Sequence, residues 1–224
     1  MPIAAAARAR HIARKISDGS AQVQEFLTVS AIIDWGAPEI GALARQIRGG
    51  CGDATAIAGA TFGWVRDEIK HSIDYGLQPV ACRASETLRL GSGLCYAKSH
   101  LLAALLRANG IAAGFCYQRL SVDGQGAPFC LHGFNAIHLP GHGWYRVDAR
   151  GNKPGIEARF CPPLEALAFA PVLEGEHTFA GIWAEPLDIV IDALSRYRNN
   201  AELCLHLPDL DPDDPDLPKP AAVT

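Results

Sequence analysis

A cysteine, a histidine and an aspartate in this chain have the types and the order that nucleophilic catalysis requires. Cys95 follows the glycine-rich turn 91–93 and opens a stretch with helical periodicity that runs to Ala108. A thiol in the first turn of a helix lies close to unpaired backbone N–H groups and to the positive end of the helix dipole, so we expect it to ionise readily. His132 and Asp148 lie downstream. The three side chains would serve as a nucleophile, its base and the group that orients the base.

A predicted hairpin decides whether the histidine and the aspartate can meet. His132 lies on one predicted strand and Asp148 ends the next. Side chains alternate between the two faces of a strand, so the length of the loop sets the face on which Asp148 lies. A five-residue loop pairs His138 with Trp144 and makes Asp148 a diagonal neighbour of His132, whereas a four-residue loop puts the carboxylate on the opposite face. A catalytic triad therefore requires a loop with an odd number of residues.

The first half of the chain has mainly helical patterns, and strand patterns follow. Apolar residues recur at helical spacing up to residue 108, and Asn109-Gly110 is a typical helix stop. The predicted helices are 38–48, 53–70, a short one around 85–88, 95–108 and 187–198, and the predicted strands are 26–33, 113–122, 131–139, 144–148 and 178–184. We therefore predict an α+β fold in which a helical N-terminal half, with the nucleophile helix, packs on an antiparallel sheet.

Composition and charge are those of an ordinary globular domain. The chain has 224 residues, of which 49% are hydrophobic and 20% charged, and its net charge of −4 is that of the segment after residue 208, so the rest is formally neutral. We therefore expect neither a nucleic acid nor a membrane as a partner, and no apolar run reaches the roughly 18 residues of a membrane span. The seven cysteines are odd in number and include no C-x-x-C pair. Without a secretory signal, we expect reduced thiols and a cytoplasmic location.

The chain divides into three parts. Residues 1–25 are an N-terminal extension, and its Ala- and Arg-rich stretch 3–16 suits a short basic helix or a frayed segment. Residues 26–207 are one domain that is long enough to bury a core. Residues 208–224, rich in Asp and Pro, are expected to be a disordered acidic tail.

A metal site is the alternative for the histidines near residue 132. Cys130, His132, His138 and His142 include two types of zinc ligand. On an extended strand, however, His132 and His138 lie about 20 Å apart and cannot share one ion. We therefore expect no metal and no cofactor.

The chain resembles the transglutaminase-like superfamily, whose core is papain-like. Gly93-Leu94-Cys95 is similar to the family's Gly-x-Cys at the start of the nucleophile helix, and His132 is similar to the histidine that begins a strand. Asp148 corresponds to the aspartate on the next strand. The similarity covers about residues 53–150. It implies that these three residues catalyse acyl chemistry on an amide or a thioester.

The resemblance implies a peptide, amide or other acyl substrate, and hydrolysis is favoured over transfer. The backbone N–H of Cys95 is one expected oxyanion donor, and Gln78 and Tyr75 are candidates for the second. Two alternatives remain. One is acyl transfer from a small thioester, as in arylamine acetyltransferases, although the Arg-Gly-Gly that precedes that family's cysteine is missing here. The other is a non-catalytic binding module that retains the fold. The oligomeric state is left open.

Overall fold

The computed structural model describes residues 23–222, so the predicted basic segment 3–16 lies outside the described residues. The helices in this range are α1 (Pro38–Arg48), α2 (Ala54–Glu68), α3 (Ala84–Leu90), α4 (Cys95–Ala108), α5 (Asp188–Arg196) and α6 (Asn200–Cys204). A 3₁₀ turn, Glu25–Leu27, precedes them. None of these helices is long and apolar enough to cross a membrane.

The strands form a four-stranded sheet and two small pairs. In chain order they are β1 (Lys70–His71), β2 (Ser92–Gly93), β3 (Ala113–Ser121), β4 (Phe129–Leu139), β5 (Gly143–Val147), β6 (Arg159–Cys161), β7 (Leu164–Ala166) and β8 (His177–Thr178). β5, β4, β3 and β8 lie side by side in an antiparallel sheet. β1 pairs with β2 in parallel, and β6 pairs with β7 in antiparallel fashion. The predicted α+β class is confirmed.

Helix α4 is the central element of the core. Every residue from Tyr96 to Arg107 is buried, because α4 packs against α1, α2 and α3 as well as against β3 and β4. Its buried polar side chains bond to backbone carbonyls; for example, His100 Nδ1 lies 2.7 Å from the carbonyl oxygen of Cys82. A helix that is packed on all sides and also tied by polar bonds holds its first residue in a defined place.

The predicted strand at residues 26–33 is absent. Phe26 lies in the 3₁₀ turn, and its fully buried ring has its centroid 4.4 Å from that of Trp144. The apolar, β-prone residues of this segment pack through their side chains, whereas a strand also needs a neighbouring strand with which to pair. The predicted strand 178–184 is likewise reduced to the two residues of β8 and one isolated bridge to β3.

Residues 209–222 contact the domain through specific side chains, which corrects the prediction of a disordered tail over this range. Asp209 forms a bidentate ion pair with Arg119 at 2.7 and 2.8 Å. Trp183 Nε1 donates to the carbonyl of Pro218 at 3.1 Å. Apolar side chains of the segment also pack on the main core, namely Leu210 and Leu217. The many aspartates and prolines predicted disorder, but composition alone does not show that one of these aspartates forms an ion pair with an arginine elsewhere in the chain. The boundary at residue 26 stays a prediction.

Candidate active site

Cys95 is the first residue of α4, as the sequence predicted. The preceding Leu94 has no polar side-chain atom to cap the helix, and the first helical bond at this end runs from Lys98 N to Leu94 O over 2.9 Å. The N–H groups of the first turn are therefore free to stabilise an anion. The thiol is half-buried and borders a cavity of about 700 Å³.

A short parallel pairing holds the turn that precedes the nucleophile. His71 in β1 pairs with Gly93 in β2, and Ser72 N donates to Gly93 O over 3.1 Å. A Cβ atom at position 93 would lie only 2.8 Å from the Cβ of Ala97, inside α4. A larger residue would therefore push the start of α4 out of place, and the glycine helps to fix the position of Cys95.

His132 and Asp148 form a buried hydrogen-bonded pair. His132 Nε2 donates to Asp148 Oδ2 over 2.7 Å, and the aspartate is only 1% exposed. The carboxylate also accepts from the backbone N–H groups of Arg150, at 3.0 Å, and Ala168, at 3.2 Å. Because Nε2 is bound to the carboxylate, Nδ1 is the ring nitrogen that is left for Cys95.

The electrostatics of this pair favour an imidazolium next to a carboxylate. Burial by itself lowers the pKa of His132, but the charges of Asp148 and Cys95 and the hydrogen bonds to both outweigh it and raise the pKa to about 10. Burial raises the pKa of Asp148, but the charge of His132 and three hydrogen bonds bring it below its ordinary value. His132 therefore carries a positive charge at neutral pH.

The hairpin has the register that the sequence predicted. β4 and β5 pair His138 with Trp144. The strands extend further than predicted, so the turn is shortened to residues 140–142. The number of loop residues is still odd, and the same residues therefore lie opposite each other as in the predicted hairpin. This register brings Asp148 to the same face as His132, as the hydrogen bond between them requires.

A charged cluster that sequence reasoning missed lies beside the pair. Asp74 accepts from both terminal nitrogens of Arg150, at 2.6 and 3.1 Å, and from Lys153 Nζ at 2.6 Å. Burial raises the pKa of Asp74, but these bonds and charges bring it down to about 2. His71 Nδ1 is 3.5 Å from the same carboxylate. Burial, together with the charge of Arg150, lowers the pKa of His71 to about 3, so this imidazole is neutral.

Lys98, one turn after Cys95, ties the nucleophile helix to α2. Its ammonium donates to the carbonyl of Ile69 and, at 3.2 Å, to that of Arg66. Burial, followed by the charge of Arg150, lowers the pKa of Lys98 to about 7. The apolar stripe of α4 skips this position, and for that reason the periodicity gave no sign that the lysine is buried.

The cavity contains both Cys95 and His132 in its wall. The ring of Phe169 stands edge-on to that of His132, with centroids 4.9 Å apart. Gln78 and Tyr75, the expected candidates for a second oxyanion donor, do not border the cavity. Gln78 Nε2 instead donates to the carbonyl of Gly76, and Tyr75 is 60% exposed. Neither side chain is therefore placed to be the second donor, which stays unassigned.

The remaining cysteines and histidines are candidates as metal ligands. Within residues 23–222, no group of three or more His, Cys, Asp or Glu side chains is arranged to hold a metal ion. His138, one of the residues weighed as a metal ligand, packs edge-on to Trp144 with ring centroids 5.4 Å apart. All seven cysteines are unpaired thiols. The cytoplasmic location stays a prediction.

Comparisons with known proteins identify one family. The sequence model described as "Transglutaminase-like superfamily" matches residues 41–149. Among solved structures, a candidate cysteine protease from Cytophaga hutchinsonii is 21% identical, with a TM-score of 0.48, over 57% of this chain and 42% of its own. The periplasmic domain of TgpA from Pseudomonas aeruginosa is 23% identical, with a TM-score of 0.43, over 58% of this chain and 47% of its own. This chain thus spans less than half of the length of either. No curated protein matches it.

The matched range contains the residues that the sequence and the geometry single out. Cys95, His132 and Asp148 all fall within residues 41–149. This range also includes α2, α3, α4 and the three longest strands, β3 to β5, in full. Residues 41–149 thus match the transglutaminase-like superfamily.

Proposed function

We propose that this protein is a cysteine-dependent hydrolase that forms an acyl-enzyme on an amide or related acyl substrate. Cys95 is the nucleophile, His132 the acid and base, and Asp148 the group that orients His132. One observation carries the proposal: the 2.7 Å His132–Asp148 bond lies beside a thiol at the uncapped start of a helix, in the wall of a single cavity.

Acylation begins with the sulfur of Cys95. The thiolate forms a bond to the carbonyl carbon, and the π electrons move to the oxygen, where the backbone N–H of Cys95 stabilises the negative charge. When the carbonyl re-forms, the C–N bond breaks. The imidazolium of His132 gives its proton to the departing amine, which leaves a thioester on Cys95 and a neutral imidazole.

Deacylation restores the starting ion pair. Neutral His132 takes a proton from a water molecule, whose oxygen attacks the thioester carbonyl. The C–S bond then breaks and releases a carboxylic acid, so that the thiolate and the imidazolium are both regenerated. Hydrolysis is preferred over transfer because Cys95 is only half-buried, so that water reaches the thioester. An amine in place of water would give an amide by the same steps.

The test is to trap the acyl-enzyme with an activated aryl ester and to locate the acyl group by mass spectrometry. We expect the adduct on Cys95 in the unmodified chain and none at this position in Cys95→Ala. Cys161→Ala is the matched control, because this thiol is exposed and lies outside the cavity. Acylation spread evenly over the exposed thiols would contradict the proposal. Added methylamine then separates the two outcomes, because only a transferase would convert most of the thioester to the methylamide.

A further inference from the structure

The cavity at Cys95 has mainly aliphatic and aromatic walls. They come from separate parts of the chain: the end of β3, the loop that precedes β8, and the segment that follows α6. The apolar side chains that these parts contribute include Leu120, Val122, Phe169, Val172, Leu173 and Leu207. A ligand in this cavity therefore meets apolar surface on several sides.

The charged residues of the wall are already paired within the protein. Arg150 is occupied by its bidentate contact with Asp74. Glu176 accepts from the backbone N–H groups of Ser121 and Val172, both at 2.9 Å, and of Leu173 at 3.0 Å. Arg150 thus has a carboxylate partner and Glu176 has three backbone donors, so the protein itself already supplies the main polar contacts of both side chains, and a charged ligand group would gain little in return for its desolvation there.

Apolar side chains also surround the mouth of the cavity. Ile73 is 48% exposed, Val122 50% and Val172 83%, and all three line the cavity. Isolated exposed apolar residues are common, but several at one concave site are typical of a surface that a ligand covers. A ligand that extends past the mouth would bury them.

We propose that the acyl donor carries a large aliphatic or aromatic group close to its reactive carbonyl, and that Leu120, Val122 and Val172 select this group. The inference rests on the proposed function and names the substrate class for the same site. A cavity of about 700 Å³ holds such a side chain together with the adjoining backbone. The apolar group is either the side chain of a peptide or an alkanoyl chain, since both have the same chemistry at this surface.

The experiment compares chloromethyl ketones that alkylate Cys95. One peptide probe has leucine next to the ketone, a second has glutamate, and a third compound is an alkanoyl chloromethyl ketone of similar size. Each rate is divided by the iodoacetamide rate of the same variant, which removes differences in the reactivity of the thiol. We expect the leucine probe to react at least about tenfold faster than the glutamate probe, equivalent to about 1.4 kcal/mol. The rate of the alkanoyl compound, compared with that of the leucine probe, shows whether the site prefers an alkanoyl chain or a peptide side chain.

Two surface variants make the comparison specific. In Val122→Asp the ratio of the leucine to the glutamate rate should fall close to one. Val29→Asp is the matched control, because Val29 is also an exposed valine, at 57%, but does not border the cavity; its ratio should equal that of the unmodified chain. A ratio near one in the unmodified chain, or an unchanged ratio in Val122→Asp, would overturn the inference and leave the proposed function intact. A Cys95 whose iodoacetamide rate rises between pH 6 and pH 8 as steeply as that of Cys161 would instead contradict the proposed function.

Discussion

Replacing His132 with alanine should change the pH dependence of Cys95 alkylation. The pKa of His132 is raised to about 10, so its imidazolium persists from acid pH to that value and stabilises a neighbouring thiolate. In His132→Ala this positive charge is lost, and Cys95 is left with the helix N-terminus alone. The structure therefore predicts that the alkylation rate of Cys95 depends on pH differently in the unmodified chain and in His132→Ala.

The size of the effect follows from the ionised fraction. An ordinary thiol with a pKa of about 8.5 is about 0.3% ionised at pH 6 and about 24% at pH 8, so its alkylation rate rises about 75-fold over this interval. If His132 holds Cys95 as a thiolate, as the proposed function requires, the alkylation rate of Cys95 should change by less than about twofold over the same interval. The absolute rate is a weaker test. A paired thiolate is a poorer nucleophile, with a Brønsted coefficient of about 0.4–0.5, and this offsets much of the gain in ionisation.

The assay is alkylation with iodoacetamide between pH 6 and pH 8, followed by mass spectrometry that resolves each cysteine peptide. Cys161 is exposed and lies outside the cavity, so it provides a reference thiol within the same molecule. Cys130 borders the same cavity, but burial raises its pKa to about 12, so it should remain slow at both pH values. The reasoning is refuted if Cys95 has the slope of Cys161 in the unmodified chain, or if the slope stays flat in His132→Ala.

Three further predictions concern the carboxylate, the spacing of α4 and β4, and the C-terminal segment. Asp148→Asn removes the charge that sustains the imidazolium, so acyl turnover should fall by at least about 10²-fold and the alkylation slope should steepen; a variant with the turnover of the unmodified chain would speak against the assigned role. Gly133→Ala places a methyl group 2.9 Å from the ring of a tyrosine in α4 and should cost about 1–3 kcal/mol in urea unfolding, while Gly63→Ala, with open space around it, should not destabilise the fold. Truncation after Pro208 removes the partner of Arg119 and should cost about 2 kcal/mol or more, measured by the same unfolding curves; an unchanged midpoint would restore the disordered tail.

The nucleophile helix and the hairpin were predictable because each depends on a local rule. The glycine-rich turn before Cys95 and the Asn109-Gly110 stop bound α4 at both ends, and the structure places it at Cys95–Ala108. The hairpin loop could have an odd or an even number of residues, and only an odd number places Asp148 on the same face of the sheet as His132. The observed pairing of His138 with Trp144 has that parity.

The strand predicted at residues 26–33 and the disordered tail failed for a common reason. Both predictions came from composition, whereas the outcome depended on a partner far away in the sequence. Phe26 packs against Trp144, and Asp209 binds Arg119. Local preferences of the chain contain no information about such distant partners.

Two imidazoles border the cavity, and the difference between them is the reason why the proposed function assigns the role of acid and base to only one. His132 has a direct 2.7 Å bond to Asp148, a carboxylate whose other contacts are neutral backbone N–H groups. His71 also has a carboxylate nearby, but Asp74 is occupied by Arg150 and Lys153 and stays 3.5 Å away. The first imidazole is therefore held in its charged form, with a pKa of about 10, and the second is held neutral, with a pKa of about 3. Environments that separate the pKa values of like groups assign their roles. Here that assignment depends on contacts between residues as far apart in the sequence as Asp74 and Arg150, which no local pattern in the sequence reveals.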